Sequence, residues 1–180
     1  MLKGEKIYLR LLEEEDLPHR VKWINNEEIS QTLGFDWPLS LSKTKSWFQK
    51  TLSDSSKLNF VIIDNQSNKL IGITGLLGID YKNRNAEFYI TIGEKEFHGL
   101  HIPDEVISLM LEYAFLELGL SRIYLQTFDY NKRAQRVYER NGFVREGVLR
   151  KHKWKQGGLK DLVYYGILKE EWELRRNKNE

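Results

Sequence analysis

The sequence predicts a mixed α/β (α+β) domain: a central, mostly antiparallel twisted sheet with one parallel crossover and helices on its faces. Three observations lead there. Two pairs of β-patterned segments, 59–64 with 70–79 and 143–149 with 159–168, are each joined by a short polar or glycine-rich turn, the mark of a hairpin. A long helical pattern at 103–118 lies between strand patterns at 86–93 and 121–128. That connection is long enough to hold a crossover helix, so these two strands are expected to run parallel.

The elements follow in order. Ile7–Leu12 reads as a first strand. Residues 13–26 read as a helix, with Leu17, Val21 and Ile24 at helical spacing. Residues 35–38 form an aromatic loop, and 42–52 a second helix with Trp47, Phe48 and Leu52 inward. In the long helix Ile107, Leu111, Phe115 and Leu118 make the apolar stripe. Pro103 suits its first turn and Gly119 its end. A further helix spans 131–141: Asn131 is a good N-cap and Asn141-Gly142 a stop signal. A single domain over 1–172 is expected, followed by a charged tail, 173–180, that frays.

Bulk properties narrow the function. The 180 residues carry 28 Lys+Arg against 26 Asp+Glu, a net charge of +2 that argues against a nucleic-acid partner. The basic run 145–155 is too weak a signal to reverse that. With no cysteine there is neither a disulfide framework nor a thiol nucleophile. Histidines 19, 98, 101 and 152 show no metal-ligand spacing. No apolar run reaches membrane-spanning length, and the N-terminal residues resemble no signal peptide, so a cytoplasmic setting is expected.

Two segments could carry chemistry. The first is Glu94-Lys-Glu-Phe-His-Gly-Leu-His-Ile102, which leads a strand into the long helix. Unpaired N–H groups at such a helix start favour an anion, above all a phosphate. Gly99 permits close backbone approach and His98 and His101 add donors, while Pro103 removes one N–H. An ordinary strand-to-helix connection with solvated histidines is the alternative. The second is Asn131-Lys-Arg-Ala-Gln-Arg-Val-Tyr-Glu-Arg-Asn-Gly-Phe143, where Ala134, Val137 and Tyr138 share one face. A phenol on that face is either a core tyrosine or a proton donor.

The ordered segments 7–17, 84–93, 111–125, 131–150 and 160–168 together resemble the GNAT acetyltransferases, in the branch that holds ribosomal-protein, polyamine and amino-sugar N-acetyltransferases. The resemblance implies an enzyme that moves an acetyl group from acetyl-CoA to a primary amine of a small molecule or a protein N-terminus, by direct attack in a ternary complex. Backbone at Tyr89, Ile90, Thr91 and Ile92 would pair with the pantetheine, one amide polarising the thioester carbonyl. His98, Gly99, Leu100, His101, Ile102 and Asp104 would hold the pyrophosphate. Asn131, Arg133 and Ala134 would complete the cofactor site, and Tyr138 would protonate the departing thiolate. The family's phosphate loop usually has a glutamine or arginine and two or more glycines. Here Glu96, His101 and Pro103 stand at those places, and Glu96 would bring negative charge toward the pyrophosphate.

An alkylamine with a pKa near ~10 must lose a proton before it attacks. Glu87 is the candidate base; a solvated carboxylate paired with Arg84 is the alternative. The acceptor side is expected at the first two helices, the segment 27–39 and the last hairpin. Glu13, Glu14, Glu15, Asp16, Glu27, Glu28 and Asp36 lie there beside Trp23, Phe35 and Trp37, a mixture suited to a cationic amine. A catalytically silent binding protein with an altered loop is the competing function. A sheet edge that pairs with a second copy is the expected oligomeric feature.

Overall fold

The structure, a computed structural model, describes residues 1–34 and 38–179. Eight strands form one sheet: β1 (Leu2–Lys3), β2 (Ile7–Leu11), β3 (Leu58–Asp64), β4 (Leu70–Asp80), β5 (Asn85–Ile92), β6 (Arg122–Phe128), β7 (Val144–Lys155) and β8 (Gly158–Leu168). Their order is β1-β2-β3-β4-β5-β6-β8-β7. Every pairing is antiparallel except β5 with β6, which is the parallel step expected from the crossover.

Helices cover both faces. α1 (Leu17–Ile24), α2 (Glu27–Ser30) and α3 (Leu41–Thr51) lie on one; α4 (Ile102–Glu112) and α5 (Lys132–Arg140) lie on the other. β3 shows how one strand feeds both layers. Phe60 and Ile62 join the core under α4, while Val61 and Ile63 join the core under α1 and α3, as a period of two requires. In the predicted stripe of α4, Ile107 and Leu111 are buried, as is Phe115. Leu52, expected inward, is exposed.

Differences from the sequence reading have physical reasons. β1 and α2 have two and four residues, too short for periodicity to register. After α4 the chain widens into a single π-helical turn at Tyr113–Glu117, which seats Phe115 in the core. The charged C-terminal segment is a helix, α6 (Lys169–Asn179), rather than a frayed tail. Trp172 anchors it with its ring centroid 5.4 Å from that of Phe115. β7 is longer than expected and bulges between Leu149 and Lys153. Among the described residues no helix is long and apolar enough to cross a membrane.

Candidate active site

The parallel pairing of β5 and β6 is brief. It joins Asn85–Glu87 to Arg122–Tyr124 and then ends. Beyond it β5 stays bonded to β4, and β6 to β8. Residues 88–92 and 126–128 therefore face each other across a cleft of about 710 Å³. The place is physically expected: ligands of such sheets sit beyond the carboxyl ends of parallel strands.

One end of the cleft meets the start of α4. The amides of Gly99, Leu100, His101 and Ile102 donate to no acceptor among the described residues. Four consecutive free N–H groups before a helix of eleven residues fit a pyrophosphate. Pro103, in the first turn, takes nothing from that set. His101 caps the helix at φ +60°, the left-handed region where the family has glycine. The Nζ of Lys6 donates to the Leu100 carbonyl at 3.2 Å and fixes the loop to β2.

The loop's charged groups are spoken for. Lys69 pairs with Glu96 at 2.6 Å, and Glu96 is absent from the cleft wall. The expected repulsion of a pyrophosphate is thus offset by a lysine 27 positions away. His98 lines the cleft and its Nε2 donates to the Ile92 carbonyl at 3.1 Å, holding the strand end. The Asp104 carboxylate accepts from Arg140, Asn141 and His101, so it is tied within the protein, its amide donates to the His101 carbonyl, and the residue is absent from the cleft wall expected to hold it. Burial raises the Asp104 pKa, but the bonds from Arg140, Asn141 and His101 outweigh it, and the net shift is downward.

The opposite wall is α5. Asn131 caps it as expected, its side-chain oxygen accepting from the Ala134 amide at 3.2 Å. Asn131, Arg133, Ala134 and Tyr138 all line the cleft. Tyr138 is 9% exposed and packs edge-on to Phe143, ring centroids 6.0 Å apart. Its hydroxyl has no hydrogen-bond partner among the described residues, yet it is not sealed off. The phenol therefore presents an uncommitted O–H to the cleft. Burial pushes its pKa up to about 12.

Along β5, Glu87, Tyr89 and Thr91 share one face by alternation. Glu87 lines the cleft and accepts from the Gln126 amide at 2.8 Å. The anticipated partner Arg84 instead donates to the Gly119 carbonyl. The Tyr89 carbonyl accepts from the Thr74 hydroxyl at 2.7 Å. The Tyr89 hydroxyl donates to Asn59 Oδ1 at 2.7 Å, two strands away. Gly75 allows that reach: it stands between Asn59 and Tyr89 in register, and a Cβ there would lie 2.8 Å from the Tyr89 ring.

The acidic acceptor wall expected from the sequence is largely absent. Asp16 is buried in a bidentate pair with Arg10, and Glu14 pairs with Lys45. Trp23 is buried and its Nε1 donates to Glu94 at 2.9 Å. Phe35, Asp36 and Trp37 lie outside the described residues. Only Glu28 and Glu87 remain as lining carboxylates among the described residues. Arg20, Trp47 and Lys153, from the helices and hairpin expected on the acceptor side, line the cleft with Asn59, although no local pattern singles out these residues. They come together through strand register and helix packing, which no local pattern reports. Among the described residues no group of three or more acidic or histidine side chains could hold a metal.

Comparison with known proteins agrees with this geometry. The chain is 33% identical over 170 residues to the spermidine N(1)-acetyltransferase of Vibrio cholerae, covering 94% of this chain and 96% of that protein. It is 31% identical over 178 residues to the putative ribosomal N-acetyltransferase YdaF of Bacillus subtilis, at 94% and 95% coverage. The crystal structure of the Vibrio cholerae spermidine N-acetyltransferase in complex with CoA and spermine superposes with a TM-score of 0.87 at 31% identity, covering 94% of this chain and 99% of that one. Residues 6–144 match the family described as the acetyltransferase (GNAT) domain. With this sheet, this splayed cleft and these relatives, the chain belongs to the GNAT acetyltransferase family.

Proposed function

We propose that this protein transfers the acetyl group of acetyl-CoA to the primary amine of a small molecule or a protein N-terminus. The observation that carries the reading is the uncommitted Tyr138 hydroxyl in a cleft that also reaches Gly99, the first of four free amides at the start of α4. The pyrophosphate would sit on those amides, with Arg133 adding charge. The pantetheine would lie along Tyr89–Ile92 in place of the strand pairing that β5 gives up after Glu87. Asn131 and Ala134 would border its arm.

In the reaction the amine nitrogen attacks the thioester carbonyl, a C–N bond forms and the C–S bond breaks. The amine's proton leaves toward Glu87, directly or through water, and the thiolate takes a proton from Tyr138. Burial keeps the phenol protonated at neutral pH. The same dry wall raises the basicity of a thiolate leaving into it, which brings donor and acceptor closer in pKa. Relatives named for spermidine and ribosomal acetylation support an amine acceptor.

Thiol release from acetyl-CoA, followed across polyamines, amino sugars and peptide N-termini, tests the reading. Release that depends on an added amine supports it; no release with any of them contradicts it. The lack of cysteine suits a reducing compartment such as the cytoplasm. The free edge of β7, twelve residues long and exposed over most of its length, is where a second copy would add, which light scattering after gel filtration would detect.

A further inference from the structure

We infer that the acceptor amine also carries an anionic group, a carboxylate or a phosphate, and that Lys153 recognises it. This rests on the acetyl-transfer reading above. Besides Lys95 and Arg133, three cations line the cleft: Arg20 of α1, Lys57 just before β3, and Lys153 of β7. Arg20 is buried with its guanidinium 4.2 Å from the centre of the Trp47 ring. Lys57 pairs with Asp54 at 2.7 Å. Lys153 is half-buried and reaches from the hairpin to the backbone at Gly34. It has no carboxylate partner among the described residues.

Neither lining carboxylate forms an ion pair with it. Glu28 is paired with Lys95, and Glu87 holds the Gln126 amide. An ammonium that faces the cleft with no ion pair among the described residues is free to meet an anion there. An anion on the acceptor supplies the missing partner. A polyamine would do the reverse, bringing further ammonium groups toward Lys153. Lys153 also helps the chemistry: it disfavours the protonated form of a bound amine, so the neutral nucleophile is reached more easily.

The test uses matched amines with and without the anion, glucosamine 6-phosphate against glucosamine and β-alanine against propylamine, with spermidine as the polycation. Thiol release gives kcat/KM for each. The expected result is at least a tenfold preference for the anionic member of one pair or both, and spermidine below it. The phosphate and carboxylate pairs show which anion fits. Lys153→Gln should abolish most of that preference, and Lys153→Glu should invert it toward spermidine. A second readout needs no chemistry: the melting temperature of the CoA-saturated protein with each amine. Greater protection by the anionic amines, with no thiol release from any amine, would sink the transfer reading and leave the acceptor assignment standing. Preference for spermidine in either assay, protection by none of the amines, or an unchanged ratio in both Lys153 variants would overturn the assignment.

Discussion

Asp104 at the head of α4 grips Arg140 at the foot of α5: Arg140 Nε donates to Oδ1 at 2.7 Å and Nη2 donates to Oδ2 at 2.8 Å. The phosphate cradle sits just before one partner and Tyr138 just before the other. The pair therefore sets the distance between the proposed pyrophosphate site and the proposed proton donor.

Removing that carboxylate should loosen both. Asp104→Asn is expected to cost about 1–2 kcal/mol, a modest figure because Arg140 is half exposed and screened by solvent. Since the Asp104 pKa is lowered in the folded protein, its contribution is present above the ordinary carboxylate range and is lost as pH falls through the lowered value. Urea midpoints of wild type and variant should therefore differ at pH 7 and converge toward pH 3. The acetyl-CoA KM should rise in parallel at pH 7.

His101 holds a left-handed conformation next to the proposed pyrophosphate. His101→Gly removes a Cβ from that approach and relieves backbone strain of order ~1 kcal/mol, while a more flexible unfolded chain offsets part of the gain. The melting temperature should change little. Isothermal titration should show tighter acetyl-CoA binding; weaker binding would make the imidazole a ligand in its own right.

Gly75 separates Tyr89 from Asn59. A methyl group there would strike the Leu58 carbonyl oxygen as well as the Tyr89 ring. Gly75→Ala should destabilise the protein by about 1–3 kcal/mol through overpacking, and break the Tyr89–Asn59 hydrogen bond that shapes the acceptor wall. Chemical denaturation measures the first effect. Acceptor KM, rising more than acetyl-CoA KM, measures the second.

Glu87→Gln tests the base. The substituted amide can still accept from Gln126, so the fold should hold. Turnover at neutral pH should drop about 10²-fold and recover as pH approaches the amine's own pKa. An unchanged pH profile would assign proton removal to water alone.

Much of the fold was legible because its long elements carry clean periods. The hairpin 58–80, the crossover helix and the capped helix at Asn131 all follow from patterns within a few residues. The site was legible in part. Tyr138 and Asn131 could be placed because both ends of their helix are marked locally. The fate of Glu96 could not be read, since its partner Lys69 lies in the distant turn between β3 and β4. Nor could that of Asp16, which resembles a helix-start acid but is buried against Arg10. α6 escapes the sequence for the same reason: its charge reads as a tail, while Trp172 near its start packs on Phe115. Lys153 reaches the cleft by way of a bulged hairpin, and no spacing rule connects it to Gly34.

In the proposed acetyl transfer the Tyr138 phenol protonates the departing thiolate. The most direct measurement of that role is turnover of Tyr138→Phe at saturating acetyl-CoA and amine, beside the Kd for acetyl-CoA. A fall in kcat of about 10²–10⁴-fold with Kd nearly unchanged is expected, as for loss of a positioned general acid. A variant that keeps the wild-type kcat would contradict that role.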